Sequence, residues 1–307
     1  MLRIEDHLQS NSPHAMTLEK QKKALIFGAS GMAGQSFVKR LKRDAYDVLG
    51  LSRSGPDIFV DALTELELVH EYIDTLKPDL IINCAAIVSL SHCQSHPREA
   101  SRINAELPRH LAHAASTNGS RLIQISTDHF YSGDGDKRHS ENDPVTLLNK
   151  YAETKYQGEQ NALQHTDTLV VRTNITGFRG DPKRPTFVEW LTDSLLRRAP
   201  LRLFTDFYTS TIDTNSLSRL CTHQNLGKVQ GIVNIASSSP ITKSDFAHRL
   251  AKELGVDLNW AEDASVFDLD VRRAESLGLN CDKAEQILGI AMPSPDEVIR
   301  KLARKMS

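Results

Sequence analysis

Short runs of four to six apolar residues, without polar alternation, recur along the chain and are punctuated by glycine and proline. The first, 24–27 in KALIFGASGMAG, runs straight into glycines and then into a helical stretch at 35–43, which predicts strand, turn and helix. Residues 47–53 and 57–60 are predicted as a second and a short third strand, and 63–76 as a helix stopped by Lys77-Pro78. DLIINCAA supplies a fourth strand, Pro97 opens a long helix through residue 115, and SRLIQIST follows the Asn118-Gly119 stop as a fifth. A helix over 149–164 and the strand DTLVVRTNI come next. Beyond them the pattern loosens into a helix near 187–198, the strand LRLF and GIVNIAS (231–237), read as one more central strand. The tail is mainly helical, with Thr242 or Ser244 as N-cap of DFAHRLAKELG and Gly255 as its stop.

Strands that stay apolar on both faces belong to a parallel sheet covered by helices on each side. The fold class expected is therefore α/β, a Rossmann-type doubly wound parallel sheet with a smaller, mainly helical substrate-binding lobe. Residues 1–22 read as a flexible leader, 23–175 with 207–237 as the sheet domain, and 176–206 with 238–307 as the smaller lobe. At 307 residues the chain is long enough for such a pair. The 37 basic and 39 acidic side chains leave a formal charge of -2, which gives no general attraction for nucleic acid or an anionic membrane. Four scattered cysteines without a CxxC pair argue against zinc and a disulfide framework. His92 and His96, flanking Cys93, read as a solvated loop, so no metal is expected. The first 22 residues lack the apolar core of a signal peptide, and a cytoplasmic protein is the expectation.

Gly28, Gly31 and Gly34 stand as GxxGxxG between the first strand and helix, the context in which glycines admit a pyrophosphate to a helix N-terminus. Where NAD-preferring folds place a carboxylate at the end of the second strand, this chain has Ser52, Arg53 and Ser54. A guanidinium there grips a 2'-phosphate, which favours NADPH over NADH. Asp61 is placed to hydrogen-bond the adenine amine. Tyr151 and Lys155 in YAETK fall on one helical face, about 6 Å apart along the axis. An ammonium so placed would lower the phenol's pKa and ready it for proton transfer. Ser126-Thr127-Asp128 ends the fifth strand, at the carboxyl edge where α/β sheets keep their ligands.

Taken in order, GASGMAG, NCAA (83–86), ISTD (125–128) and YAETK resemble the extended short-chain dehydrogenase/reductase family. Within it, ISTDHFYSGDG, YAETKYQGE and RINAELP are most similar to dTDP-4-dehydrorhamnose reductases and related sugar-nucleotide reductases. The resemblance implies that Thr127 polarises a carbonyl, Tyr151 donates the proton and Lys155 binds the nicotinamide ribose. It further implies cofactor contacts for Gly28, Ser30, Gly31, Met32, Gly34, Arg53, Asp61, Ala62, Ala85, Ala86, Asn104 and Asn174, and substrate contacts for Ser126, Asp128 and His129. The implied partner is a nucleotide-linked keto sugar, with a homodimer usual in the family. Two departures concern the sugar: His129 follows the STD triplet where an aromatic residue is usual, and TSTID lacks an expected proline. Two alternatives remain, an epimerase or dehydratase that recycles its nicotinamide, with Asp128 as acid, and a regulatory subunit retaining the dinucleotide fold.

Overall fold

The computed structural model describes residues 21–52, 58–59, 65–165 and 167–306. Seven strands form one all-parallel sheet: β1 (Lys23–Phe27), β2 (Asp47–Ser52), β3 (Ile58–Phe59), β4 (Leu80–Asn83), β5 (Arg121–Ile125), β7 (Thr168–Arg172) and β12 (Gly231–Asn234). Their spatial order is β12-β7-β5-β4-β1-β2-β3, so the winding direction reverses between β1 and β4. That reversal opens a crevice at the carboxyl ends of the strands, where a ligand fits.

The apolar runs produce this sheet because both of its faces are buried. Ala24 and Ile26 of β1 pack to one side with Phe37 and Leu41 of helix α1 (Met32–Arg43). Leu25 and Phe27 pack to the other with Val69 and Ile73 of α2 (Leu68–Leu76) and Leu111 of α5 (Leu107–Asn118). Each face thus removes several large side chains from water, each worth about 1.5–3 kcal/mol when fully buried.

The sequence predicts an unbroken helix from Pro97, but the structure divides it. After α3 (Leu90–Ser95), α4 (Pro97–Ser101) passes through a π-helical turn (Arg102–Glu106) into α5. Pro108 has no N–H to offer the carbonyl four residues back, that of Asn104, and so the regular ladder fails there. The freed Asn104 carbonyl faces Gly158 of α6 (Lys150–Ala162), where a Cβ would collide with it. GIVNIAS also differs from the reading as a central strand. β12 pairs only with β7 and forms the sheet's edge, with Asn234 bonded to the Glu141 and His139 loop beyond it.

The remaining elements build a second core. Val188, Leu191 and Leu195 of α7 (Phe187–Arg197) meet Phe246 and Leu250 of α9 (Lys243–Glu253) and Val298, Ile299 and Leu302 of α11 (Pro295–Ala303). Thr242 supplies the α9 N-cap, in a capping box with Asp245. The rest comprises α8 (Thr214–Cys221), α10 (Asp282–Leu288) and short strand pairs that, apart from the LRLF strand, the sequence pattern does not predict as separate strands. β8 (Asn174–Thr176) pairs with β11 (Thr211–Asp213), β9 (Arg202–Phe204) with β14 (Glu262–Ala264), and β6 (Arg138–His139), β10 (Tyr208–Thr209), β13 (Ile241–Thr242) and β15 (Ser276–Leu279) form a mixed sheet.

Candidate active site

The glycine turn between β1 and α1 lies at the sheet's reversal point. Gly28 has φ 75°, donates its N–H to Leu51 at 2.9 Å, and approaches the β4 loop so closely that a Cβ would sit 2.8 Å from the Ala85 nitrogen. Gly34 packs its helix against the Gly28 carbonyl, again leaving no room for a Cβ. Gly31 caps α1 without any side-chain hydrogen bond, and the first turn carries no acid. The helix therefore presents its positive end and bare backbone to the crevice, as a pyrophosphate requires. Gln35 ties this turn to the lobe, donating to the Ser30 and Arg179 carbonyls at 3.0 and 3.3 Å. Met32 lies against Gly177, and Ala85 and Ala86 line the β4 side half-buried. Arg53, Asp61 and Ala62 lie outside the described residues.

Asn104 spends its side-chain amide on structure. Its oxygen accepts from the Ile87 N–H at 2.9 Å, and its nitrogen donates to the Ile87 carbonyl at 3.0 Å and to Thr154 at 3.2 Å. This clamps the β4 loop to α6. The same helix starts at Asn149, whose side chain accepts from the Ala152 N–H, and it carries Tyr151 and Lys155 into the buried interior. The Lys155 ammonium donates to the Ile125 carbonyl at 2.9 Å, and burial lowers its pKa to about 8, against the pull of Glu159 and Cys84. Burial pushes the Tyr151 phenol above its usual range. Hydrogen bonding with Thr127 opposes that rise, while the Asp128 carboxylate reinforces it. In this arrangement the Lys155 ammonium is directed to the Ile125 carbonyl, and burial dominates the Tyr151 phenol.

Around Tyr151 the STD segment divides its work. Ser126 turns inward and donates to Glu159 at 2.6 Å, which forms a fully buried ion pair with Arg172 at 2.8 Å. Thr127 accepts from the His129 N–H and donates toward Asp128. Asp128 accepts from the Asn174 amide at 2.7 Å, and the Asn174 oxygen accepts from Thr211 at 2.8 Å. Burial raises the Asp128 carboxyl to about 7, opposed by that hydrogen bond and by Lys243. The His129 ring meets Tyr151 edge-on at 5.5 Å, its Nδ1 buried without a partner among the described residues. Burial and the charges of Arg273 and Lys243 hold its pKa at about 3, which keeps the imidazole neutral.

The wall opposite comes from residues that the sequence does not single out. Lys243, at the first turn of α9, places its ammonium 4.7 Å from the Phe187 ring and 5.7 Å from Phe207, and burial lowers its pKa to about 8. Phe207 also meets His129 edge-on at 6.2 Å, and the Arg273 Nε is buried without a partner among the described residues. No spacing motif marks these residues. Their one local signal, the capping box that starts α9, fixes the helix and is silent on its ligand. The four cysteines are free thiols, each with its pKa raised by burial and hence un-ionised. No group of three or more metal-ligating side chains is found among the described residues.

A doubly wound sheet, a glycine turn opening on an uncapped helix, and a buried Thr127, Tyr151 and Lys155 at the carboxyl edge define an oxidoreductase of the extended short-chain dehydrogenase/reductase class. Within that class, the chain belongs to the RmlD substrate binding domain family, whose model matches residues 22–307. It is 28% identical over 295 residues to a probable low-salt glycan biosynthesis reductase of Haloferax volcanii, covering 92% of this chain and 98% of the relative. It is 26% identical over 300 residues to the dTDP-4-dehydrorhamnose reductase of Escherichia coli, covering 92% and 97%. Among solved structures, the dTDP-4-dehydrorhamnose reductase of Bacillus anthracis in complex with NADP superposes with a TM-score of 0.83 at 22% identity, over 93% of this chain and 99% of that one.

Proposed function

We propose that the chain is an NADPH-dependent reductase of a nucleotide-linked 4-keto-6-deoxy sugar, similar in activity to dTDP-4-dehydrorhamnose reductase. The observation that carries this reading is the meeting of Thr127, Tyr151 and Lys155 at the carboxyl edge of β5, beside a glycine cradle that any Cβ would fill. The family match over residues 22–307 supports it. The cradle fits a dinucleotide: Gly28, Ser30, Gly31, Met32 and Gly34 would hold its pyrophosphate, with Ala85 and Ala86 along its flank. Arg53 favours NADPH through a 2'-phosphate, and the B. anthracis relative was solved with NADP. When bound, NADPH supplies a hydride to the sugar's keto carbon.

The chain's own residues do the rest. Thr127 holds the keto oxygen, Tyr151 protonates it as charge develops, and Lys155 turns from the Ile125 carbonyl to the nicotinamide ribose. A raised phenol pKa suits this direction, because the proton stays on Tyr151 until an alkoxide forms to take it. Asp128 is already committed to Asn174, which Thr211 in turn holds, and this disfavours its use as the acid of a dehydratase. Lys243, Phe207 and His129 would contact the sugar. The test is a panel of 4-keto and 4-hydroxy sugar nucleotides with NADPH or NADH. Consumption of reduced nicotinamide with the keto compounds, faster with NADPH, is expected. Interconversion without net consumption would instead assign an epimerase or dehydratase, and no turnover of any member would favour a regulatory subunit.

A further inference from the structure

A second recess of about 560 Å³ lies away from the crevice, between α1, α8 and α11. Seven of the chain's 37 basic side chains line it, against one of its 39 acidic ones. Arg40 is paired with Asp44 at 2.7 Å. Lys39, Arg43, Arg219, Lys301, Arg304 and Lys305 form no ion pair among the described residues, although Lys301 donates to Ser216 at 3.0 Å. Helix ends explain part of this enrichment, because Arg40, Arg43, Arg219 and Lys301 fall in last turns that carry negative dipole ends. Crediting each of three helix ends with about half a negative charge, and counting Asp213 and Asp44, still leaves the recess with an excess of roughly three positive charges. A protein whose net charge is -2 has concentrated cations here, and among the described residues only Arg40 of the seven has a carboxylate partner.

The one carboxylate in the recess adds a second, independent observation. Asp213 is buried; its Oδ1 accepts from the Ser216 N–H at 3.0 Å and caps α8, while Oδ2 is buried without a partner among the described residues. An orphaned carboxylate oxygen calls for a donor, and a fully ionised phosphate has none to offer. A hydroxyl can. The volume is that of a small-molecule site, and the concave shape together with the chain's overall negative charge disfavours an extended polyanion.

We infer that this recess binds a small phosphate ester carrying a free hydroxyl, such as a sugar phosphate, with Arg219, Lys301 and Arg304 on the phosphate and Asp213 on the hydroxyl. The site is distinct from the dinucleotide crevice. It runs along α1 from Ser36, about 6 Å along the axis from Met32, to Arg43 at the far end of the helix, about 18 Å from the glycine turn. Ligand binding here would act on the helix that carries the pyrophosphate cradle.

The test is calorimetric titration of the full chain, saturated with NADPH, with fructose 1,6-bisphosphate and with inorganic tripolyphosphate at constant ionic strength. Saturable binding of both is expected. It should weaken at least about tenfold in Arg219→Glu and in Arg304→Glu, both exposed positions, and remain unchanged in Lys252→Glu on the far side of α9. Asp213→Asn keeps the helix cap and should weaken the sugar phosphate while sparing tripolyphosphate. Failure of both probes to bind, or binding indifferent to Arg219→Glu and Arg304→Glu, overturns the site. Equal weakening of the two probes by Asp213→Asn, or none, overturns the hydroxyl contact. Each variant's melting temperature and NADPH affinity are measured alongside, so that loss of the fold registers separately.

Discussion

The two sides of the crevice are built by different means. The cofactor side is contiguous: β1, the glycine turn and α1 follow one another in the chain, and their geometry follows from residues within one short stretch. The substrate side is assembled from a distance. His129 follows β5, Phe207 precedes β10, Lys243 begins α9 and Arg273 precedes β15, so that three separated segments gather around the His129 ring, which itself meets Tyr151. A local site tolerates little change anywhere in its segment, whereas an assembled wall can exchange one side chain at a time while the sheet stays as it is.

The contrast can be broken at several points. The largest expected effect is on the support shared by both sides. Glu159→Ala would leave Arg172 buried without its partner and Ser126 without its acceptor, and should lower unfolding stability by about 3–5 kcal/mol in urea titrations. Next, Gly28→Val forces a Cβ into the β4 loop at a positive φ, and NADPH affinity should fall by about a hundredfold in fluorescence titrations. On the assembled side, Lys243→Met should leave NADPH affinity intact and raise KM for the sugar nucleotide about tenfold. His129→Phe keeps the edge-on contact with Tyr151 and removes the orphaned Nδ1, so its effect should be smaller still and confined to discrimination among sugars.

Asp128 sharpens the contrast through pH. Its folded pKa, about 7, lies above the ordinary carboxyl value of 3.8, so the folded protein binds the proton more tightly than the unfolded chain does. The associated stability is complete below about pH 4 and is lost as pH rises toward 7. Lys243 has the opposite sign: its lowered pKa of about 8 makes stability rise with pH between about 8 and 10.5. Chemical denaturation across this range should show both slopes, and Asp128→Asn should remove the acidic one.

The sequence made the parallel sheet legible because burial on both faces imposes unbroken apolar runs, and the glycine turn because only glycine permits so close an approach at Gly28. Edge position leaves no such mark. Gly231–Asn234 is as apolar as its neighbours and lies at the rim because a loop covers it, a fact fixed by residues 139–141. The π turn before Leu107 was legible in principle from Pro108, but its consequence depends on Gly158, fifty residues later. Asn104, Asn174 and Ser126 show the same limit. Each has the residue type of a ligand contact, and the structure commits each to holding another residue in place.

The proposed reaction couples hydride transfer in this crevice to protonation by Tyr151. The direct test follows NADPH consumption with dTDP-4-dehydrorhamnose for the wild type and Tyr151→Phe side by side, with NADPH affinity measured for both. Rapid consumption by the wild type is expected, with a loss of about a hundredfold or more in the variant at unchanged NADPH affinity. Equal rates in the two proteins would contradict it.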